Sequence, residues 1–374
     1  MTTPTRMFSL EQKVGQLLFI GLPGPTLDAE AQQLVKSIQP GGVILFARNL
    51  ESPQQTAELT ADIRRFSRVM PLISIDQEGG RVDRLRHLAG PMPSAKQISL
   101  ADDAKLAFEL GVVTADLLRL LGFNMNFAPV LDIEAANDQP NGLEERCWGG
   151  QAMTVIRFAG TYLEGLQNHG ILGCGKHFPG LGDTAVDSHH ALPTVNRSEK
   201  QLLAEDLRVY ADLFSTLYTR VPAVMTAHAS YPAFDGHSGI PASLSRNVVT
   251  DLLRKRMEFS GIAICDDLEM GAIQKTVEFS EAVVRAVEAG NDMLLVCSRP
   301  DLMQEAQTTL VRAVETGRIP RSRLEVSIDR IAKVKAMAMA PYPYSAEAFR
   351  RATERLAAIH RAVMESATPQ ESLP

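Results

Sequence analysis

The chain has little of what would tie it together from outside or hold it in a lipid bilayer. Only four cysteines, Cys147, Cys174, Cys265 and Cys297, occur among 374 residues. They stand far apart with no C-x-x-C pair, which excludes a disulfide-stapled scaffold and reads as reduced thiols of a cytoplasmic protein. No run approaches the ~20 apolar residues of a membrane span. The start, `MTTPTRMFSLEQ`, lacks an apolar core of signal-peptide length, so the mature protein is expected to begin near Met1. A net charge of -6 without a basic stripe argues against nucleic acid as a partner. There is no low-complexity segment and no fixed-period repeat. Apolar residues at 45% and charged residues at 22% describe an ordinary globular chain with enough length to bury a sizeable core.

What is present is an alternation. Eight short apolar runs, rich in β-branched or aromatic residues and bounded by Gly, Pro or polar turns, read as buried strands. They are `LLFIG` (17–21), `GGVILF` (41–46), `PLISID` (71–76), `NMNFAPV` (124–130), `GCGKHF` (173–178), `AVMTAHA` (223–229), `GIAICDD` (261–267) and `MLLVCS` (293–298). Between them lie stretches with apolar residues at three- and four-residue steps, such as 56–66, 104–122 and 155–170, the last closing on Gly170 where a helix C-cap is expected. Strand–helix alternation implies parallel strands with helical crossovers. Eight units predict an α/β fold, a (β/α)8 barrel of the triosephosphate isomerase type. An open doubly wound sheet with an extra layer is the alternative. We expect a single barrel domain over 1–340. A C-terminal helical extension, 341–374, should pack on it and end in a frayed tail.

Barrel chemistry sits at the C-terminal ends of strands, where the loops converge. Here strand three runs into Asp76, strand four into Asp132, strand five into Lys176 and His177, strand six into His228, and strand seven into Asp266 and Asp267. Ionisable groups there are costly to bury alone, so they predict one shared polar pocket. Asp132 and Asp267 also suit turn formers or helix caps. His228 suits a core histidine as well as a pocket residue, and Met225 and Met293 read as packing. Asp76 opens `DQEGGRVDR`, whose two glycines allow close backbone approach and whose Arg81 and Arg84 follow within reach of a ligand.

The segment `KHFPGLGDTAVDSHH` (176–190) carries three histidines and two aspartates on a glycine-containing loop that can reach over the barrel mouth. Asp187 and His189, two apart, can lie side by side, the carboxylate favouring the protonated ring. That makes a proton donor facing the Asp266 carboxylate, the arrangement glycosyl transfer needs, with a histidine in place of the usual second carboxyl.

These motifs, `GGVILFARNL`, `DQEGGRVDR`, `MNFAPVLDI`, `KHFPGLGDTAVDSHHALP`, `AVMTAHASYPAFD` with `PASLS`, and `ICDDLEMGAI`, closely resemble in order the bacterial β-N-acetylhexosaminidases of glycoside hydrolase family three. The resemblance runs from about Val14 to Ser298. It implies a retaining glycosidase, without metal or organic cofactor, that removes non-reducing-end N-acetylglucosamine from peptidoglycan fragments during recycling. Its partner is then a small carbohydrate, and a monomer is expected. It assigns Asp266 as nucleophile, His189 as general acid and base, and Asp187 as the partner of His189. Asp76, Arg84, Arg146, Lys176 and His177 would hold the sugar. Leu181 departs from the `KHFPGHG` common in that family, Cys265 from a common Ser, and Trp148 from a common Phe. Three other readings stay open on residues alone: a metal-dependent hydrolase using His177, His189, His190, His228 and Asp266, a Schiff-base lyase using Lys176, and a silent sugar-binding protein. A phosphorylase, with phosphate replacing water, would keep the same site.

Overall fold

Each of the eight apolar runs contributes a strand to a single parallel sheet that closes on itself. A computed structural model describes residues 8–135, 141–184, 187, 188, 190–215 and 220–367. The barrel strands are β1 (Leu18–Gly21), β2 (Gly42–Leu45), β3 (Leu72–Ile75), β4 (Met125–Asn126), β5 (Leu172–Phe178), β6 (Ala223–Thr226), β7 (Ile262–Cys265) and β8 (Met293–Val296). Chain neighbours pair in parallel from β1 to β3 and from β4 to β8, and β1 pairs with β8, Leu18 opposite Leu294. Between β3 and β4 the ladder is carried by two backbone bonds, Asn124 N to Ile73 O at 3.1 Å and Phe127 N to Ile75 O at 2.9 Å. The Asn124 side chain completes it by accepting from Ile73 N at 2.7 Å. The fold is therefore the (β/α)8 barrel that the alternation predicts, and the open-sheet alternative falls.

The strands are shorter than the apolar runs that announce them. In the fourth run only Met125 and Asn126 form regular ladder, because Ala128-Pro129 follows and proline cannot donate to a neighbour. Helices cross over between strands, among them Pro53–Phe66, Ala104–Leu120 and Ala152–Asn168. The first begins one turn earlier than its apolar period suggests, since Ser52 caps it and Pro53 stands at its first turn. Gly170 takes φ +86° directly after the third, where only glycine turns the chain without strain.

Strand residues fill the barrel rather than line a pore. Phe19 and Phe127 meet edge to face across it, with ring centroids 5.3 Å apart. Gly42 leaves the room Phe19 needs: a Cβ there would lie 2.3 Å from the ring. The floor is pinned by Asp292, fully buried, which accepts from Ala263 N at 3.1 Å and Ser327 Oγ at 2.8 Å and pairs with Arg254 and Arg330.

Beyond the barrel the helix Ala346–Ala367 lays Phe349, Leu356, Ile359 and Val363 into a buried face and contacts the helix Ala104–Leu120. Its entry is bracketed by Arg119, which donates to His169 O and Ala340 O while its guanidinium stacks 3.7 Å from the Tyr342 ring centroid. No helix among the described residues is long and apolar enough to cross a membrane.

Candidate active site

Strand ends β3, β5, β7 and β8 open onto one pocket of about 180 Å³, lined by Asp76, Glu78, Arg84, Arg146, Lys176, His177, Asp266 and Asp267 among others. That lies below the roughly 300 Å³ at which pockets for drug-sized ligands begin, so the space suits one small polar molecule. Six of the residues assigned from sequence, Asp76, Arg84, Arg146, Lys176, His177 and Asp266, thus stand together.

Local chemistry explains how they get there. After β3 the chain folds into a small hairpin, Gln77–Gly79 against Val82–Asp83. The buried Gln77 side chain fixes it, donating to Asp83 Oδ1 at 2.8 Å and accepting from Leu85 N at 2.9 Å. The hairpin delivers Glu78 and Arg84 to the pocket. Arg84 lies 6.0 Å from the Phe46 ring centroid, and its buried Nε has no hydrogen-bond partner among the described residues. Arg81 does not join it. That side chain lies in the open, paired with Glu144, which corrects its expected reach to a ligand.

Glu78 is the centre of the charge network. Lys176 Nζ lies 2.6 Å from Glu78 Oε1 and 2.8 Å from Asp76 Oδ1. Arg146 grips Glu78 with Nε at 2.8 Å and Nη2 at 2.9 Å, and donates to Gly142 O at 3.0 Å. Burial opposes the Glu78 carboxylate, but Arg146 and Lys176 outweigh it and hold its pKa well below the usual range. For Lys176 burial acts to release the proton, and Asp76 and Glu78 more than reverse it, so the amine stays charged. A charged lysine is no Schiff-base nucleophile. Sequence reasoning missed Glu78 because two polar positions after a strand read as loop.

His177 and Asp132 form a second unit. Asp132 is fully buried and accepts from His177 Nδ1 at 2.7 Å and from Leu181 N at 2.7 Å. A carboxylate can only accept, so Nδ1 carries the hydrogen and Nε2 is left for the pocket. Leu181, where the family commonly has histidine, is buried. Asp132 therefore works beneath the pocket and does not line it. His228 does likewise. Its Nε2 faces Asp267 O at 3.0 Å and must donate, so Nδ1 accepts from Ser243 Oγ at 2.7 Å. Burial lowers its pKa. It is the satisfied core histidine of the two readings.

Asp266 follows β7 directly, and its Oδ1 accepts from Asp267 N at 2.8 Å. Asp187 sits apart from the lining, its Oδ2 so close to Gly142 that a Cβ there would stand 2.7 Å away. His189 lies outside the described residues. On either side of it the loop is tied to the segment that follows Asp266: Ala272 N donates to Ser188 O at 3.2 Å, and Lys275 Nζ to His190 O at 2.8 Å.

A parallel eight-fold barrel with a charged pocket at its strand ends defines a barrel enzyme of small polar substrates. The comparisons narrow the class. The model for the glycosyl hydrolase family 3 N terminal domain matches residues 9–334. A β-hexosaminidase of Nitrosomonas eutropha is 32% identical, covering 91% of this chain and 96% of the relative. One of Pseudomonas aeruginosa is 35% identical over 82% of this chain and 89% of its own. Among solved structures, a family 3 β-N-acetylglucosaminidase from Paenibacillus superposes with a TM-score of 0.89 at 38% identity, over 95% of this chain and 69% of that one. NagZ from Neisseria gonorrhoeae, in complex with N-trifluoroacetyl-D-glucosamine, gives 0.77 at 29%, over 94% and 98%. The chain belongs to glycosyl hydrolase family 3 and is a glycoside hydrolase.

Proposed function

We propose that the protein is a retaining exo-β-N-acetylglucosaminidase that removes non-reducing-end N-acetylglucosamine from peptidoglycan fragments. The observation that carries this is the position of Asp266, at the end of β7, on the wall of a pocket whose opposite charges sit on Lys176, Asp76, Glu78 and Arg146. Hydroxyls of a sugar can be held there while the carboxylate meets the anomeric carbon. The names of the relatives above support the sugar.

In this reading Asp266 attacks the anomeric carbon and forms a glycosyl ester, while His189, partnered by Asp187, protonates the leaving oxygen. Water, deprotonated by His189, then releases the sugar with its β-configuration kept. Asp76, Arg84, Arg146, Lys176 and His177 hold the substrate. Four unpaired, buried cysteines suit a reducing compartment, and we place the enzyme in the cytoplasm as a monomer.

Proton NMR of the first product from a N-acetylglucosaminyl-anhydromuramyl peptide tests the reading. The β-anomer should appear first, at a rate indifferent to phosphate. Initial α-anomer, a sugar phosphate, or no turnover at all would overturn it.

A further inference from the structure

The backbone around the nucleophile is held from both neighbouring strands, and the holds gather at Asp267 and the residue after it. Its N–H donates to Asp266 Oδ1 at 2.8 Å. From the β6 side the His228 ring donates to its carbonyl at 3.0 Å, and His228 is itself fixed by Ser243. From the β8 side Leu295 O accepts from Leu268 N at 3.1 Å, and Cys297 lines the pocket with the Asp267 carboxyl. The same carboxyl accepts from Glu269 N at 3.1 Å, which closes the turn, and Met270 N returns to the Asp267 carbonyl at 3.0 Å. Residue 267 is therefore held with its N–H facing the Asp266 carboxylate.

The geometry points to Asp267 as a positioning residue for the nucleophile, its carboxyl anchored by the turn and its carbonyl by His228 so that its backbone N–H fixes the Asp266 carboxylate toward the anomeric carbon. This rests on Asp266 being the nucleophile. A misdirected carboxylate costs rate rather than binding, because attack needs a specific approach while the sugar's hydroxyls are held elsewhere in the pocket. Asp267 can sit beside a second carboxylate because it keeps its proton more readily than an ordinary aspartate. Burial, together with the charges of Glu269 and Asp266, pushes its pKa up to about 7 against the pull of the Glu269 N–H. Near neutrality the pair thus carries less than two full charges, which limits the repulsion that would otherwise turn Asp266 aside.

The test is covalent trapping with 5-fluoro-N-acetylglucosaminyl fluoride, followed by peptide mass spectrometry, on the full chain and its variants. In the wild-type protein the label should fall on Asp266. A label elsewhere defeats the nucleophile assignment, whatever the variants do. With that established, Asp267→Ala should lower the trapping rate constant about a hundredfold while the inhibitor's dissociation constant moves less than about threefold. Asp267→Asn, which still accepts from Glu269 N, should recover to within about tenfold of wild type. Loss of binding with the rate constant intact, or a rate constant within about threefold of wild type in Asp267→Ala, overturns the proposal. If Asp267→Ala does not fold, Asp267→Asn against Asp267→Met decides: only the methionine variant, which cannot accept from Glu269 N, should trap slowly, and equal rates refute the anchor.

Discussion

Oδ2 of Asp132 lies 2.7 Å from Nδ1 of His177, and the other oxygen of that carboxylate holds Leu181 N. One buried acid thus orients a pocket imidazole and fastens the start of the loop that carries Asp187. Asp132→Asn puts a donor where three donors converge. We expect KM for an aryl N-acetylglucosaminide to rise about tenfold, the usual cost of losing such a support. Unchanged KM in a folded variant would show that the ring needs no orienting.

Glu78→Gln removes the charge that both Lys176 and Arg146 answer. Breaking a buried pair from one side costs about 3 kcal/mol, or roughly 4 °C in Tm for a protein of this size. The sign with pH follows from the lowered pKa of Glu78. A carboxylate held below its unfolded value contributes fully above about pH 5 and loses that contribution as pH falls toward its folded value. Thermal melts should therefore show the widest gap between wild type and variant near neutrality and a narrowing gap in acid. A gap independent of pH contradicts the ion-pair account.

Substitution of the two proposed catalytic groups should separate their roles. Asp266→Asn is expected to abolish turnover while retaining sugar binding by calorimetry. His189→Ala should lose much more activity on natural glycosides than on aryl substrates whose leaving group needs no proton, by about 10²-fold. Equal losses on both would make the histidine structural.

Lys275 is exposed, so its bond to His190 O is a modest one. Lys275→Met should reduce turnover of natural glycosides by about three- to tenfold, the worth of one hydrogen bond. Activated aryl glycosides should be nearly unaffected. A matching loss on both would place the effect outside acid catalysis.

Gly182 offers a purely steric check. A Cβ there would stand 1.7 Å from Ile133 O, a backbone atom that cannot step aside. Gly182→Ala should cost about 2–3 kcal/mol in urea unfolding, and a neutral result would mean the loop has another path.

Much of this was legible in residues. Apolar runs of strand length, separated by helical periods, fix the barrel, and the ionisable residues that follow strands three to seven mark the open face. What stayed hidden was partnership. Asp132 reads as a turn former because nothing in sequence says that His177, forty-five positions on, will be folded against it. Glu78 reads as loop because its hairpin depends on the Gln77 side chain, a tertiary contact. Asp267 did sit in a turn, as its type suggests, yet the turn is also how it reaches the Asp266 carboxylate. The seam between β3 and β4, closed with an asparagine side chain, could not be inferred from hydrophobic pattern alone.

Lys176, Arg146, Asp76 and Glu78 answer one another without help from any guest. A visiting saccharide therefore meets charges already set in place, and each of its hydroxyls must match the capacity those pairs leave. The right epimer trades like for like and gains only modest affinity. A wrong one strands a charge in a dry cleft, so selectivity among hexosamines should be far steeper than tightness of grip.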